Sequence, residues 1–126
     1  MNQLSISHTT RQYPNLPYAK ISRAILGPTY TLSLVFVGEQ RARTLNQTTR
    51  GKQYVPDVLS FPLYQSAGEI YLCLPRIRQT ASQYGHSIQY HTGYLFIHGI
   101  LHLKGYQHGA TMEQAERRLC RRFLGA

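Results

Sequence analysis

His98, His102 and His108 fall within eleven residues, in the stretch His98-Gly-Ile-Leu-His102-Leu-Lys-Gly105-Tyr-Gln-His108. Residues four apart on a helix project from one face, one turn above the other, so His98 and His102 present their imidazoles to a common point. Gly105 can end that helix by taking a left-handed conformation. The chain beyond it can then turn back and bring His108 to the same point. Three neutral imidazoles suit zinc and leave the fourth tetrahedral position open, the arrangement of catalytic rather than structural sites. Structural zinc is usually closed by four ligands, mostly Cys, and this chain offers only Cys73 and Cys120, far apart. A single helix-face His would be read as a hydrogen-bonded surface residue. Three at this spacing around a helix-ending Gly point to a metal centre.

The spacing His-x3-His-x2-Gly-x2-His is also that of the metzincin proteases, in which Glu follows the first His and serves as general base. Here that position is Gly99. The metal cage is kept and the base of peptide hydrolysis is absent.

Charge directs the choice of substrate. The chain has 14 Lys and Arg against 5 Asp and Glu, a formal net charge of +9. Such a balance implies an anionic partner, and nucleic acid is the commonest for a small cytosolic domain. Eleven of the fourteen are Arg, whose planar fork grips phosphate at two points. Ten Tyr offer faces on which unpaired bases can stack. The basic surface could equally serve solubility, and charge alone does not separate the two.

The segment His98 to His108 closely resembles the signature of the bacterial YbeY family, metal-dependent endoribonucleases of ribosomal RNA maturation. The family pattern is His-Gly-x-Leu-His-Leu-x-Gly-Tyr-Asp-His. A second block resembles it too: Leu45-Asn46, then Arg50-Gly51-Lys52, then Asp57-Val-Leu-Ser-Phe-Pro62. Gly68-Glu69-Ile70 is similar to the family's Gly-Asp-Ile, and Met112-Glu113 with Glu116 echoes its C-terminal helix. The resemblance runs from about residue 30 to the end. There are departures: Gln107 replaces the family Asp before the third His, Thr49 replaces a Tyr, and Pro56 replaces a Thr. The segments from Pro62 to Gly68 and from His108 to Met112 look shorter than is usual.

The resemblance implies a zinc-dependent, single-strand endoribonuclease acting on ribosomal RNA precursors or on RNA of the small ribosomal subunit. It implies one Zn2+ held by His98, His102 and His108, and Arg50 as the catalytic group that binds the scissile phosphate. Phosphodiester cleavage needs an activated nucleophile and charge neutralisation at phosphorus, and a fixed guanidinium beside the metal supplies the second. The attacking group is open between water activated at the metal, which leaves a 5′-phosphate, and the RNA's own 2′-hydroxyl, which leaves a cyclic phosphate. Asp57 could orient Arg50, hydrogen-bond a ligating imidazole, or simply cap backbone. Ser60 could line the cleft but is expected first in strand packing, and Glu69 is a weaker candidate for supporting a ligand.

These groups need elements to position them. Residues 3–8 alternate like a short strand. Residues 17–26 read as a helix with Pro17 at its first position, and Tyr30 to Val37 is the best strand in the chain. Glu39 to Thr48 reads as a helix with Ala42 and Leu45 inward, and Arg50 to Pro56 as a polar loop. Val58–Phe61 and Glu69–Leu74 read as short strands. A helix begins at Pro75 and ends near Gly85. Ser87 caps the long helix bearing His98 and His102, and Thr111 caps a last helix running to about Leu124. That helix carries Arg117, Arg118, Arg121 and Arg122 on its outer side as a possible RNA-contact surface. His91 lies on the ligand side of the long helix and could reach the cleft, but is expected to be a partly exposed helix residue; His86 and His8 receive no role. Early strands and late helices argue for an α+β fold, a small mixed sheet packed with several helices, with the metal in a cleft formed with the C-terminal helices.

At 126 residues the chain is expected to be one domain, 1–126. No apolar run approaches a membrane span. The segment Met1 to His8 lacks the pattern of a signal peptide. Two unpatterned cysteines give no disulfide framework, so a cytoplasmic location is the expectation. Two rivals to the nuclease stay open: a metal-dependent hydrolase of another substrate, and a non-catalytic, zinc-stabilised RNA- or ribosome-binding assembly factor.

Overall fold

A computed structural model describes residues 3–8 and 12–125; Met1 and Asn2 of the N-terminal segment lie outside the described residues. Along the chain run β1 (Gln3–His8), α1 (Tyr18–Leu26), β2 (Thr31–Val37), α2 (Glu39–Arg50), β3 (Val58–Tyr64), β4 (Ala67–Cys73), α3 (Leu74–Tyr84), α4 (Ile88–Lys104) and α5 (Ala110–Leu124). The strands form one mixed sheet in the order β1-β2-β4-β3. The pairs β1–β2 and β2–β4 are parallel, and the hairpin partner β3 runs antiparallel along β4. This is the α+β architecture expected from the sequence.

Alternation builds the two faces of the sheet. In β2, Leu32, Leu34 and Phe36 are fully buried on one face, where Ile70 and Leu72 of β4 join them. Helices α1 and α4 cover this face. On the other face Val37 and Cys73 pack with Ala42 of α2, with Val35, Val55 and Tyr71 alongside.

Helix α4 is the centre of the molecule. It touches α1, α3, α5, β3 and β4, and Leu95, Phe96, Ile97, Ile100 and Leu101 are all buried. A helix apolar nearly all round is one surrounded by protein. Its ends behave as the sequence predicts. Ser87 accepts a hydrogen bond from the Tyr90 N–H at 3.0 Å. Gly105 takes a left-handed conformation, φ 109°, and Tyr106 N–H then closes on the Leu101 carbonyl at 3.0 Å. Lys104, in the last turn, reaches back and donates to the Ile25 carbonyl of α1 at 2.8 Å.

Several boundaries differ from the sequence reading. Arg50 is the last residue of α2 and not part of a loop. The polar run Gln47-Thr-Thr-Arg50 hides a helical turn because it lacks apolar periodicity, and Gly51, left-handed at φ 68°, supplies the stop. Pro17 is the N-cap of α1, so the helix begins one residue later. Thr111 lies inside α5, whose N-cap is Gly109. Leu74 opens α3 directly after β4, with Pro75 in the first turn. Among the described residues no helix is long and apolar enough to cross a membrane.

Candidate metal centre and its cleft

His98 and His102 project from α4 toward the edge strand β3, and His108 reaches them from the turn after Gly105. Ring centroids lie 4.7 Å apart for His98–His102, 4.6 Å for His102–His108 and 5.3 Å for His98–His108. One ligand nitrogen from each lies within 4.8 Å of the others, so the trio could hold a metal ion. The Nε2 atoms of His98 and His102 are 3.2 Å apart. Tetrahedral zinc with Zn–N of about 2.0–2.1 Å separates neighbouring nitrogens by roughly 3.3 Å, so this pair already has the spacing of two zinc ligands.

The opposite ring nitrogens are occupied, which fixes which nitrogen is free. His102 Nδ1–H donates to the Tyr106 carbonyl at 3.1 Å. That carbonyl is held in place by the turn at Gly105. His98 Nδ1–H donates to the Glu116 carboxylate of α5. Both contacts place the proton on Nδ1 and leave Nε2 with its lone pair facing the cleft, as ligating histidines require. Burial, followed by the charge of neighbouring His98, lowers the His102 pKa from its ordinary value. A lowered pKa favours the neutral, ligating form. The donor set and its tautomers therefore fit a divalent metal such as zinc.

The three histidines line one wall of a cleft of about 180 Å³, whose other walls are Arg50, Val58, Leu59, Ser60 and Gly99. At Gly99 the helix backbone lies against the sheet: a Cβ there would come within 3.2 Å of Ile70 Cδ1 and 3.4 Å of Val58 Cγ2. The position that carries the general base in metzincins is thus a packing contact here. Arg50 sits at the C-terminal end of α2, and its guanidinium donates to Asn46 Oδ1 at 3.3 Å. Asn46 is fully buried and anchors itself by donating to the Tyr54 carbonyl at 3.0 Å.

Residues 5–123 match the family model described as endoribonuclease YbeY. The chain belongs to the YbeY family. Curated relatives include endoribonuclease YbeY of Helicobacter pylori strain Shi470, 40% identical over 88 residues (67% of this chain, 63% of the relative). That of Mesoplasma florum is 35% identical over 96 residues (68% and 57%), and that of Alkaliphilus metalliredigens 35% over 102 residues (72% and 66%). The matches thus span somewhat under two thirds of the length of these relatives. A solution structure of a Thermotoga maritima protein superposes with a TM-score of 0.70 at 24% identity, covering 99% of this chain and 90% of that one. That likeness establishes the fold.

Within this YbeY-family chain, the other candidates separate. Ser60, expected in packing ahead of the cleft, lines the cleft, because it pairs with Ile70 and so shares the face of the sheet that α4 covers. Glu69 is one residue out of phase and faces the other way, where Tyr71 hydroxyl donates to it at 3.5 Å. The Asp57 carbonyl accepts from Cys73 N–H at 3.0 Å, extending the β3–β4 ladder. Its charge acts on His91 and Cys73, and no hydrogen bond joins it to Arg50 among those of the described residues.

His91, expected to be partly exposed, is 1% exposed. Its helical face is covered by α3, so the spacing that suggested the metal cleft instead puts it in the core. Thr80 Oγ1 already donates to the Arg76 carbonyl at 3.2 Å. It therefore accepts from His91 Nε2–H at 3.1 Å, and His91 Nδ1 accepts from His86 Nδ1–H at 3.0 Å.

Sequence reasoning assigned no role to Asn46 or Glu116, although both stand in segments that resemble the family. Each left a physical signal. Asn46 is four residues before Arg50, the spacing of a helical side-chain pair. Glu116 lies in the apolar stripe of Met112, Ala115 and Leu119, all buried. A carboxylate on a buried face requires a partner.

Proposed function

We propose that this chain is a zinc-dependent, single-strand endoribonuclease of ribosomal RNA maturation, working in the cytoplasm as one domain over residues 1–126. The observation that carries the proposal is the common cleft: three imidazoles with their ligating nitrogens turned inward, facing a buttressed arginine, in a chain of net charge +9. His98, His102 and His108 are the ligands. When bound, zinc supplies Lewis acidity and lowers the pKa of water toward neutrality.

The chain's own residues do the rest. Arg50 binds a non-bridging oxygen of the scissile phosphate and neutralises the charge that grows there in the transition state. Asn46 holds the guanidinium against rotation, so less ordering remains for the moment of reaction. Glu116 and the Tyr106 carbonyl fix the ligand tautomers. Ser60 offers a hydroxyl on the floor of the cleft. With Gly99 packed against the sheet, no carboxylate lines the cleft itself, which favours phosphodiester over peptide substrates.

The test is cleavage of a single-stranded ribosomal RNA precursor fragment by zinc-loaded wild type and a folded His102→Ala variant. Cutting by the wild type alone supports the proposal. Equal cutting by both assigns the activity to a contaminant and removes the support. If neither cuts, whole ribosomal subunits become the substrate. Failure there, with salt-dependent RNA binding kept in both proteins, supports the non-catalytic assembly-factor reading.

A further inference from the structure

Beside the metal cleft lies a larger cavity, about 580 Å³, between the end of α3, the outer side of α4 and α5. Small-ligand sites run to roughly 300–1,000 Å³, so this one has room for a nucleotide and the metal cleft does not. We propose that it is a nucleotide subsite. An unpaired RNA base stacks there on Tyr84, and Arg117 and Arg121 hold the phosphate next to that base. The proposal rests on RNA being the substrate of the adjoining cleft.

Three observations carry it. First, the two cavities share a wall. Tyr94 and Glu116 line the larger one, Tyr94 lies 6.4 Å from His98 ring to ring, and Glu116 is bonded to His98. A strand whose phosphate sits at the metal can therefore place a neighbouring nucleotide across this wall. Second, the wall is aromatic and open. Tyr84 is 61% exposed, and its centroid is 6.3 Å from that of Tyr94 and 5.6 Å from that of His86. A base between two rings in contact with both needs about 7 Å, twice the contact distance of carbon atoms. The base therefore lies on the outer face of Tyr84 and does not slide between the rings. Third, the charge is placed for an anion. Arg117 and Arg121 are four apart on α5 and both line the cavity, so they sit one turn above each other on one face. Among the described residues neither is in an ion pair, and the one ion pair found there holds Glu116 to His98. Glu113, at the cavity's edge, is an acceptor suited to a base's exocyclic amino group.

The experiment is a fluorescence-anisotropy titration of a labelled single-stranded RNA oligonucleotide with zinc-loaded protein, under conditions where cleavage is followed in parallel. Tyr84→Ala is expected to weaken binding by about 5- to 150-fold, the range of one lost base stack. Tyr84→Phe, which keeps the ring, is expected to restore it. The pair Arg117→Gln and Arg121→Gln is expected to weaken binding and flatten its salt dependence. The pair Arg118→Gln and Arg122→Gln removes the same charge from residues of α5 that do not line the cavity, and is expected to lose clearly less. Equal losses from both arginine pairs, or no effect of Tyr84→Ala, would overturn the subsite while leaving the nuclease reading intact. Loss of binding at Tyr84 and Arg117/Arg121 in a protein that never cleaves would support the subsite and sink the nuclease reading. No RNA binding by the wild type overturns both.

Discussion

Glu116 accepts a hydrogen bond from His98 Nδ1–H across eighteen residues of chain. This contact joins α5 to α4 at the metal cleft, and it makes the last helix a part of the site and not only a cover for the core. The carboxylate is nearly buried, so losing the imidazole would leave it poorly paired.

If His98 ligates as proposed, Glu116 sets how strongly it does so. Glu116→Gln keeps a hydrogen-bonding group of the same shape but removes the charge. It is expected to weaken zinc binding by roughly 10- to 100-fold, the usual effect of losing a carboxylate behind a ligating histidine. Competition with a chromophoric chelator measures this directly. An unchanged affinity in the folded variant would show that the turn at Gly105 alone positions the ligands.

Arg50 and Asn46 act as a unit. Arg50→Ala is expected to lower kcat/KM for RNA cleavage by about 100- to 1,000-fold, the effect of removing one transition-state charge donor. Arg50→Lys should recover only part of it, because an ammonium lacks the guanidinium's fork. Asn46→Ala is expected to lower kcat more than KM, and to cost about 0.5–1.5 kcal/mol of stability through the lost hydrogen bond to the Tyr54 carbonyl. Steady-state kinetics and urea denaturation separate the two effects.

Gly99 tests why the cleft lacks a general base. Gly99→Glu would drive a side chain into Ile70 and Val58, and it is expected to destabilise the fold by on the order of 3 kcal/mol. It should confer no peptidase activity. A variant within about 1 kcal/mol of wild type would mean that α4 can lift from the sheet.

Acid sensitivity of the metal-free protein should come from His91 as well as from His102, whose pKa burial also lowers. Burial, with His86 as a lesser cause, lowers the His91 pKa from the ordinary 6.5, and Asp57 offsets this only in part. The unfolded chain then binds a proton that the folded chain refuses, so stability is complete above about pH 6.5 and falls as pH drops below it. Protonation would also place a second N–H against the His86 Nδ1–H. In metal-free protein, Tm is expected to fall from pH 7 to pH 5, and the fall should be shallower in His91→Gln. Identical slopes would place the acid sensitivity at another group.

The opposite outcomes for His91 and His98 show where sequence reading reaches its limit. Both lie on one side of the same helix, seven residues apart. Periodicity puts them in line, but which neighbour covers each is settled by α3 at one end and by the open edge of β3 at the other. The same holds for Ser60 and Glu69. Strand alternation assigns each a face, yet only the register of β3 against β4 and the docking of α4 say which face borders the cleft.

Features held by a few neighbouring residues were legible in the amino-acid order: the His98–His102 spacing, the Gly105 stop, the Ser87 cap, the strand Thr31–Val37 and the basic face of α5. Helix geometry, glycine's left-handed freedom and strand alternation act over a turn or two and need no distant partner. Tertiary structure alone decided the sheet order, the Glu116–His98 bond, the burial of His91 against Thr80 and His86, and the close approach at Gly99. Each depends on separate elements being pressed together by a shared core, and hydrophobic burial draws them in without regard to their separation in sequence.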